Sequence, residues 1–192
     1  QVAITGDISR RMVHIMRAQS DAIMVGAGTV AADDPDLTCR LPGMEKRSPV
    51  RIVLDGRLRI SQNSKLVKTA RDVPVWIAGL PSADSAKRAV LEAAGCRILS
   101  CEDHEGTIAL PELLDDLGAE GIASILLEGG AKAARNLLEN GMVDRIALFT
   151  SDMMIGANGI ASPFDPDHIP DGFKLVREEL YGTDRRRDYA RV

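Results

Sequence analysis

No stretch of this chain is apolar for long enough to cross a membrane as a helix, and no secretory leader is legible at its start. Cysteine is scarce. Cys39, Cys96 and Cys101 are an odd number in no metal-like spacing, which argues against a disulfide framework and reads as thiols kept reduced in a cytoplasm. An excess of positive charge is also missing: the formal net charge of −4 leaves no electrostatic footprint for nucleic acid. There is no internal repeat and no low-complexity tract. What remains is a chain of 192 residues that fits one domain, with or without insertions, and can bury a sizeable core. Its first residue is Gln rather than Met, so it is expected to be a piece of a longer protein.

Short apolar runs alternate with helical patterns. Residues 5–19 read as a helix, capped by Thr5 or Asp7, with Ile8, Met12, Ile15 and Met16 as its apolar stripe. Arg10 and Arg17 lie two turns apart on nearly one face, and His14 in the same helix reads as structural. Buried strands are expected at 22–25, 51–54, 73–78, 96–99 and 125–127, and helices at 82–94, 111–120 and from Ala131 to a stop at Gly141. A further strand covers 143–150. Residues 151–172, with Gly156, Gly159, Pro163, Pro166 and Pro170, form a long loop in which His168 is surface. Residues 173–181 and 186–192 form a closing hairpin around Gly182-Thr183-Asp184. The alternation predicts an α/β fold: a mixed, mainly parallel central sheet flanked by helices, with an antiparallel C-terminal hairpin.

Glycines gather where the strands end. Gly26-Ala27-Gly28-Thr29 follows the strand at 22–25, Asp55-Gly56 the strand at 51–54, and Glu128-Gly129-Gly130 the strand at 125–127. Open α/β sheets place ligands at these carboxyl ends, and glycines permit close backbone approach. The first cluster is not the dinucleotide fingerprint, because Ala31 stands where a third glycine belongs. Asp33, Asp34 and Asp36 are three acids in four residues, read as turn caps or acceptors for ligand hydroxyls rather than as a metal site. Arg40, in a loop, suits a bidentate phosphate contact, and Arg57 or Arg59 an extra phosphate such as NADP carries.

These residues also carry a resemblance. The blocks from Ile4 to Ala18 and from Asp21 to Arg40, with Arg51-Ile-Val-Leu-Asp-Gly-Arg57, Leu127-Glu-Gly-Gly130 and Asn140-Gly-Met-Val-Asp144, resemble the reductase domain of the bifunctional riboflavin-biosynthesis deaminase/reductase. The resemblance implies a dihydrofolate-reductase-like fold, a cytoplasmic homodimer, and NADPH as cofactor. It implies hydride transfer to C1′ of the ribose of 5-amino-6-(5-phosphoribosylamino)uracil, a phosphorylated pyrimidine, giving the ribityl product. Residue by residue, Ala3, Thr29, Asp33, Gly56, Gly130, Ala131 and Lys132 match cofactor contacts, with Ala3 where a Trp is common. Arg17, Leu37, Arg40 and Glu128 match substrate contacts, and Glu128 is the candidate for orienting the substrate or assisting proton transfer.

Departures accompany the match. No Lys-x-x-x-Ser-x-Asp-Gly strand opens the chain, and Asp152-Met-Met-Ile-Gly156 stands where Pro-Lys-Leu-Leu-Gly is usual. The zinc-deaminase signature is absent from these residues. Residues 1–192 are therefore expected to form a single reductase domain lacking its first strand and any upstream deaminase domain. Two alternatives stand beside this reading. One is a stand-alone reductase of the 2,5-diamino-pyrimidinone analogue. The other is a degenerate nucleotide-binding or dimerisation domain without turnover.

Overall fold

A computed structural model describes residues 5–153, 162–165 and 167–192. Ala3, Ile4, Gly156, Gly159 and Pro166 of the sequence reading lie outside the described residues. In order, the elements are α1 (Asp7–Gln19), β1 (Ala22–Gly26), α2 (Ala27–Asp33), β2 (Val50–Leu54), α3 (Lys65–Lys68), β3 (Val75–Gly79), α4 (Ser85–Ala93), β4 (Arg97–Ser100), β5 (Asp103–His104), β6 (Thr107–Ile108), α5 (Leu110–Ala119), β7 (Ile125–Leu127), α6 (Ala131–Glu139), β8 (Arg145–Thr150), β9 (Phe173–Tyr181) and β10 (Asp184–Arg191). They fall into two compact units, His14–Gly130 and Gln1–Val13 with Ala131–Val192.

The first unit is built on a five-stranded sheet in the order β4-β3-β2-β1-β7, parallel throughout. Its central strands read as apolar runs because a parallel sheet is covered on both faces. Ile23, Val25, Val53 and Ile77 are buried with Val30 of α2, Leu66 and Val67 of α3 and Leu91 of α4. One residue breaks the apolar pattern: Arg51, within β2, is wholly buried. Asp84 starts α4, its carboxylate accepting the N–H groups of Ala86 (2.8 Å) and Lys87 (3.3 Å).

Parts of this unit differ from the sequence reading. The glycine-bearing segment after β1 is helical, as α2, because Ala27 and Val30 bury one face at i, i+3 spacing. Asp34 ends that helix in the left-handed region (φ 41°), and its Oδ1 accepts the N–H of Lys65 at 2.8 Å, the capping role read for these acids. Residues 103–108 form the small hairpin β5–β6, turned by Glu105 and Gly106, both at positive φ.

The second unit holds an antiparallel sheet in the order β8-β10-β9, so the C-terminal hairpin forms as read. Its turn is two residues, Gly182 and Thr183, because Asp184 already pairs with Tyr181. Asp184 is buried, and its Oδ2 accepts the backbone N–H of Gly6 (2.7 Å) and the Ser9 hydroxyl (2.5 Å). The start of α1 is thus capped by a carboxylate from the far end of the chain, not by Thr5 or Asp7. Asp7 instead pairs with Arg10 one turn on. In this unit α6 ends as the sequence indicates, with Gly141 at φ 71° donating to the Leu138 carbonyl. Among the described residues no helix is long and apolar enough to cross a membrane.

Candidate active site

The connections of the parallel sheet decide where a ligand crevice lies. From β1 the chain steps outward through β2, β3 and β4, then returns to place β7 on the opposite side of β1. The order reverses between β1 and β7, and crevices open outside the carboxyl ends of strands at such a point. Thr29 from the β1 end and Glu128-Gly129 from the β7 end meet here. A Cβ built on Gly129 would touch Thr29 Cγ2 at 3.5 Å. Gly129 and Gly130 take φ of 74° and 85°, two consecutive left-handed residues that only glycines adopt without strain.

Arg17, in the last turn of α1, reaches the same place. Its Nε and Nη2 donate to Glu128 Oε1 (2.7 Å) and Oε2 (2.5 Å), a fork-to-fork pair of which only 13% and 19% of the side chains is exposed. Its Nη1 donates to the Thr38 carbonyl at 3.0 Å. The two residues matched to substrate contacts are therefore brought together on each other.

Leu37 and Arg40, the other substrate candidates, lie on the segment after Pro35. Leu37 is buried at φ 55°, a costly conformation for a branched side chain. The backbone around it is held by side chains: Arg51 Nη1 donates to the Asp36 carbonyl (3.2 Å), and Ser48 Oγ accepts the Cys39 N–H (3.1 Å). His14 Nδ1 accepts the Arg40 N–H (3.2 Å). Arg40 itself points outward, 57% exposed, against Asp36 at 2.8 Å. Burial, then the cations Arg17 and Arg40, push the His14 pKa down from its ordinary value, so the imidazole is held as a neutral acceptor. Burial also pushes the Arg51 guanidinium down to about 10.

The cofactor candidates are more dispersed. Thr29 is half-buried and Asp33 exposed, on successive turns of α2. Built Cβ atoms on Gly26 and Gly28 would meet nothing within 4 Å, so the backbone there is open. Gly28 and Ala31 line a cleft of about 530 Å³ with Arg59, Ser61, Asn63 and Ser64. Arg59 follows the turn after β2, which the buried Asp55 organises by accepting the Ile60 N–H at 2.7 Å. Asp34 also lines it, so the cleft offers small walls, hydroxyls, an amide, one cation and one carboxylate, a polar lining that can meet the hydroxyls and a phosphate of a dinucleotide. Arg57 is exposed and does not line this cleft. Gly56 is occupied differently, since its bare face packs on Leu80, whose Cγ would lie 3.2 Å from a Cβ. Gly130 ends the first unit, while half-buried Ala131 and exposed Lys132 open α6 in the second. Ala3 lies outside the described residues.

All three thiols are buried, and Cys96 and Cys101 lie outside the 36–40 segment. Burial raises Cys96, and it raises Cys101 to about 11, so neither is poised as a nucleophile. His168 is exposed, beside Asp165 at 2.7 Å.

The family model for the RibD C-terminal domain matches residues 1–185. The chain belongs to the RibD C-terminal domain family. It is 36% identical to riboflavin biosynthesis protein RibD of Actinobacillus pleuropneumoniae, over 97% of this chain and 50% of that protein. It is 31% identical to the 2,5-diamino-6-ribosylamino-4(3H)-pyrimidinone 5′-phosphate reductase of Methanothermobacter thermautotrophicus, over 92% of this chain and 80% of that one. A solved structure of Acinetobacter baumannii RibD superposes with a TM-score of 0.81 at 26% identity, covering 100% of this chain and 52% of that one. This RibD C-terminal domain thus spans half the length of the first relative, and the mainly parallel sheet with its antiparallel hairpin agrees with the family fold.

Proposed function

We propose that this chain is an NADPH-dependent oxidoreductase of riboflavin biosynthesis, acting on 5-amino-6-(5-phosphoribosylamino)uracil. In this reading it reduces the ribose to the ribityl product. The observation that carries the reading is the buried Arg17–Glu128 pair at the carboxyl end of β7, next to the β1/β7 reversal where Gly129 approaches Thr29. Bound there, the nicotinamide cofactor supplies the hydride.

The chain's own residues bind and orient. Arg17 is spent on Glu128 and the Thr38 carbonyl in a buried pair, so Arg40, exposed on the 36–40 segment and held there by a surface pair with Asp36, takes the substrate phosphate. Glu128, fixed at both oxygens by Arg17, keeps lone pairs for ribose hydroxyls and holds C1′ in line for reduction. It also stands where a proton is needed as the ring-opened imine or carbonyl is reduced. Thr29, Asp33 and Gly130 hold the cofactor, and Arg59 in the cleft beside α2 meets its extra phosphate. We place the enzyme in the cytoplasm, as a single reductase domain that acts as a homodimer. Leu175, Val176 and Leu180, exposed on the sheet-edge strand β9, offer apolar surface for pairing.

A second reading keeps cofactor and crevice but takes the 2,5-diamino-pyrimidinone analogue. The match over 80% of a reductase named for that substrate favours it. The test is NADPH consumption by the intact chain with each substrate in turn. Faster turnover of the deaminated substrate supports the first reading, and faster turnover of the diamino substrate the second. Binding of NADPH without turnover of either leaves a nucleotide-binding domain.

A further inference from the structure

The last turns of α1 hold the substrate segment at two adjacent places. His14 and Arg17 are three residues apart, so they share a helix face. Arg17 Nη1 donates to the Thr38 carbonyl, and His14 Nδ1 accepts the Arg40 N–H, on either side of Cys39. From the other direction Ser48 Oγ takes the Cys39 N–H and Arg51 Nη1 gives to the Asp36 carbonyl. Four side chains thus grip five consecutive residues that include Leu37, whose positive φ would otherwise relax. Three of the four grips survive any pH at which proteins fold. The fourth is an acceptor nitrogen that becomes a donor when it takes up a proton.

We propose that His14 is a positioning residue, which as a neutral imidazole holds the Arg40 backbone and so aims the Arg40 guanidinium at the substrate phosphate. The inference rests on the reductase reading for its substrate, not for its geometry. Protonated, His14 would set an N–H against the Arg40 N–H and a positive charge beside Arg17 and Arg40. Glu128, at the end of β7, and the Thr38 backbone pull the other way, but burial and the two arginines prevail and its pKa lies below the ordinary value. The grip is therefore complete above that ordinary value and is lost as pH falls through the lowered one.

The experiment compares the wild type, His14→Ala and His14→Asn across this pH range. The amide oxygen of Asn takes the place of Nδ1 as acceptor. His14→Ala is expected to raise KM for the phosphorylated substrate about fivefold at neutral pH, the worth of one such hydrogen bond, with kcat little changed. His14→Asn is expected to restore KM and to remove one acid-side inflection from the KM profile. The substrate phosphate titrates near the same region, so the difference between wild type and H14N is the quantity that counts. In the wild type, the Arg40 backbone amide resonance is expected to shift with the same midpoint as the His14 imidazole. An Arg40 amide that stays still while the imidazole titrates would overturn the proposal. So would superimposable KM profiles for all three folded proteins. No turnover at any pH, with the amide still following the imidazole, would remove the reductase reading and leave the anchoring in place.

Discussion

The two sides of the proposed site are built on opposite plans. On the substrate side, residues 36–40 are held by His14, Arg17, Ser48 and Arg51, and the Arg17–Glu128 pair is largely buried. On the cofactor side, Gly26 and Gly28 face open space and Arg59 is 69% exposed, with its Nε 3.8 Å from Asp55 Oδ1. The first side has its geometry fixed before any ligand arrives. The second offers backbone and loosely held groups that order when a ligand does. Preorganisation belongs where alignment sets the rate, and a diffusible cofactor that must also leave needs less of it.

Substitutions that blur this contrast should differ in kind as well as size. The largest effect is expected at Glu128. Glu128→Gln keeps the shape and loses the charge facing Arg17, and kcat is expected to fall about 100-fold with NADPH affinity unchanged, as steady-state kinetics would show. Arg51→Met should act on stability first. It leaves the carbonyls of Asp36, Thr69 and Val73 without the donor that now serves them. Urea denaturation is expected to register a loss of about 3 kcal/mol, and KM should rise in the folded variant. Arg40→Ala is expected to raise KM for the phosphorylated substrate about 20-fold, with little effect on the dephosphorylated analogue. Arg59→Ala should leave the substrate side alone and cut the preference for NADPH over NADH about tenfold in kcat/KM. If Arg59→Ala raised the substrate KM instead, the division between the two sides would fail.

Much of the frame is legible in the sequence because its signals are local. The apolar runs at 22–25 and 51–54 are legible as buried strands, Gly141 as a helix stop, and the C-terminal hairpin by its turn. The glycines after three strands mark the end of the sheet where Thr29, Glu128 and Gly129 gather. What is not legible is whatever depends on partners far along the chain. The cap on α1 comes from Asp184, 178 residues from the Gly6 N–H it accepts. Arg51 reads only as the first residue of a buried strand, yet its charge is wholly buried and ties three backbone carbonyls. His14 reads as structural because no metal-type partner is near it in sequence, while its partner is a backbone N–H 26 residues on. These groups act on the backbone of the substrate segment, and side chain-to-backbone bonds leave no sequence pattern. Arg17 and Glu128 are found through family resemblance, but their pairing, which removes Arg17 as a free phosphate ligand, is visible only in three dimensions.

The site at the β1/β7 reversal is proposed to reduce a ribose phosphate at C1′. The direct test is turnover of the intact chain with NADPH deuterated at its transferable position, followed by NMR of the product. The expected product carries one deuterium at C1′ of a ribityl chain, absent when Glu128→Gln replaces the wild type for the same reaction time. NADPH that binds but is not consumed, or deuterium found elsewhere in the product, would contradict it.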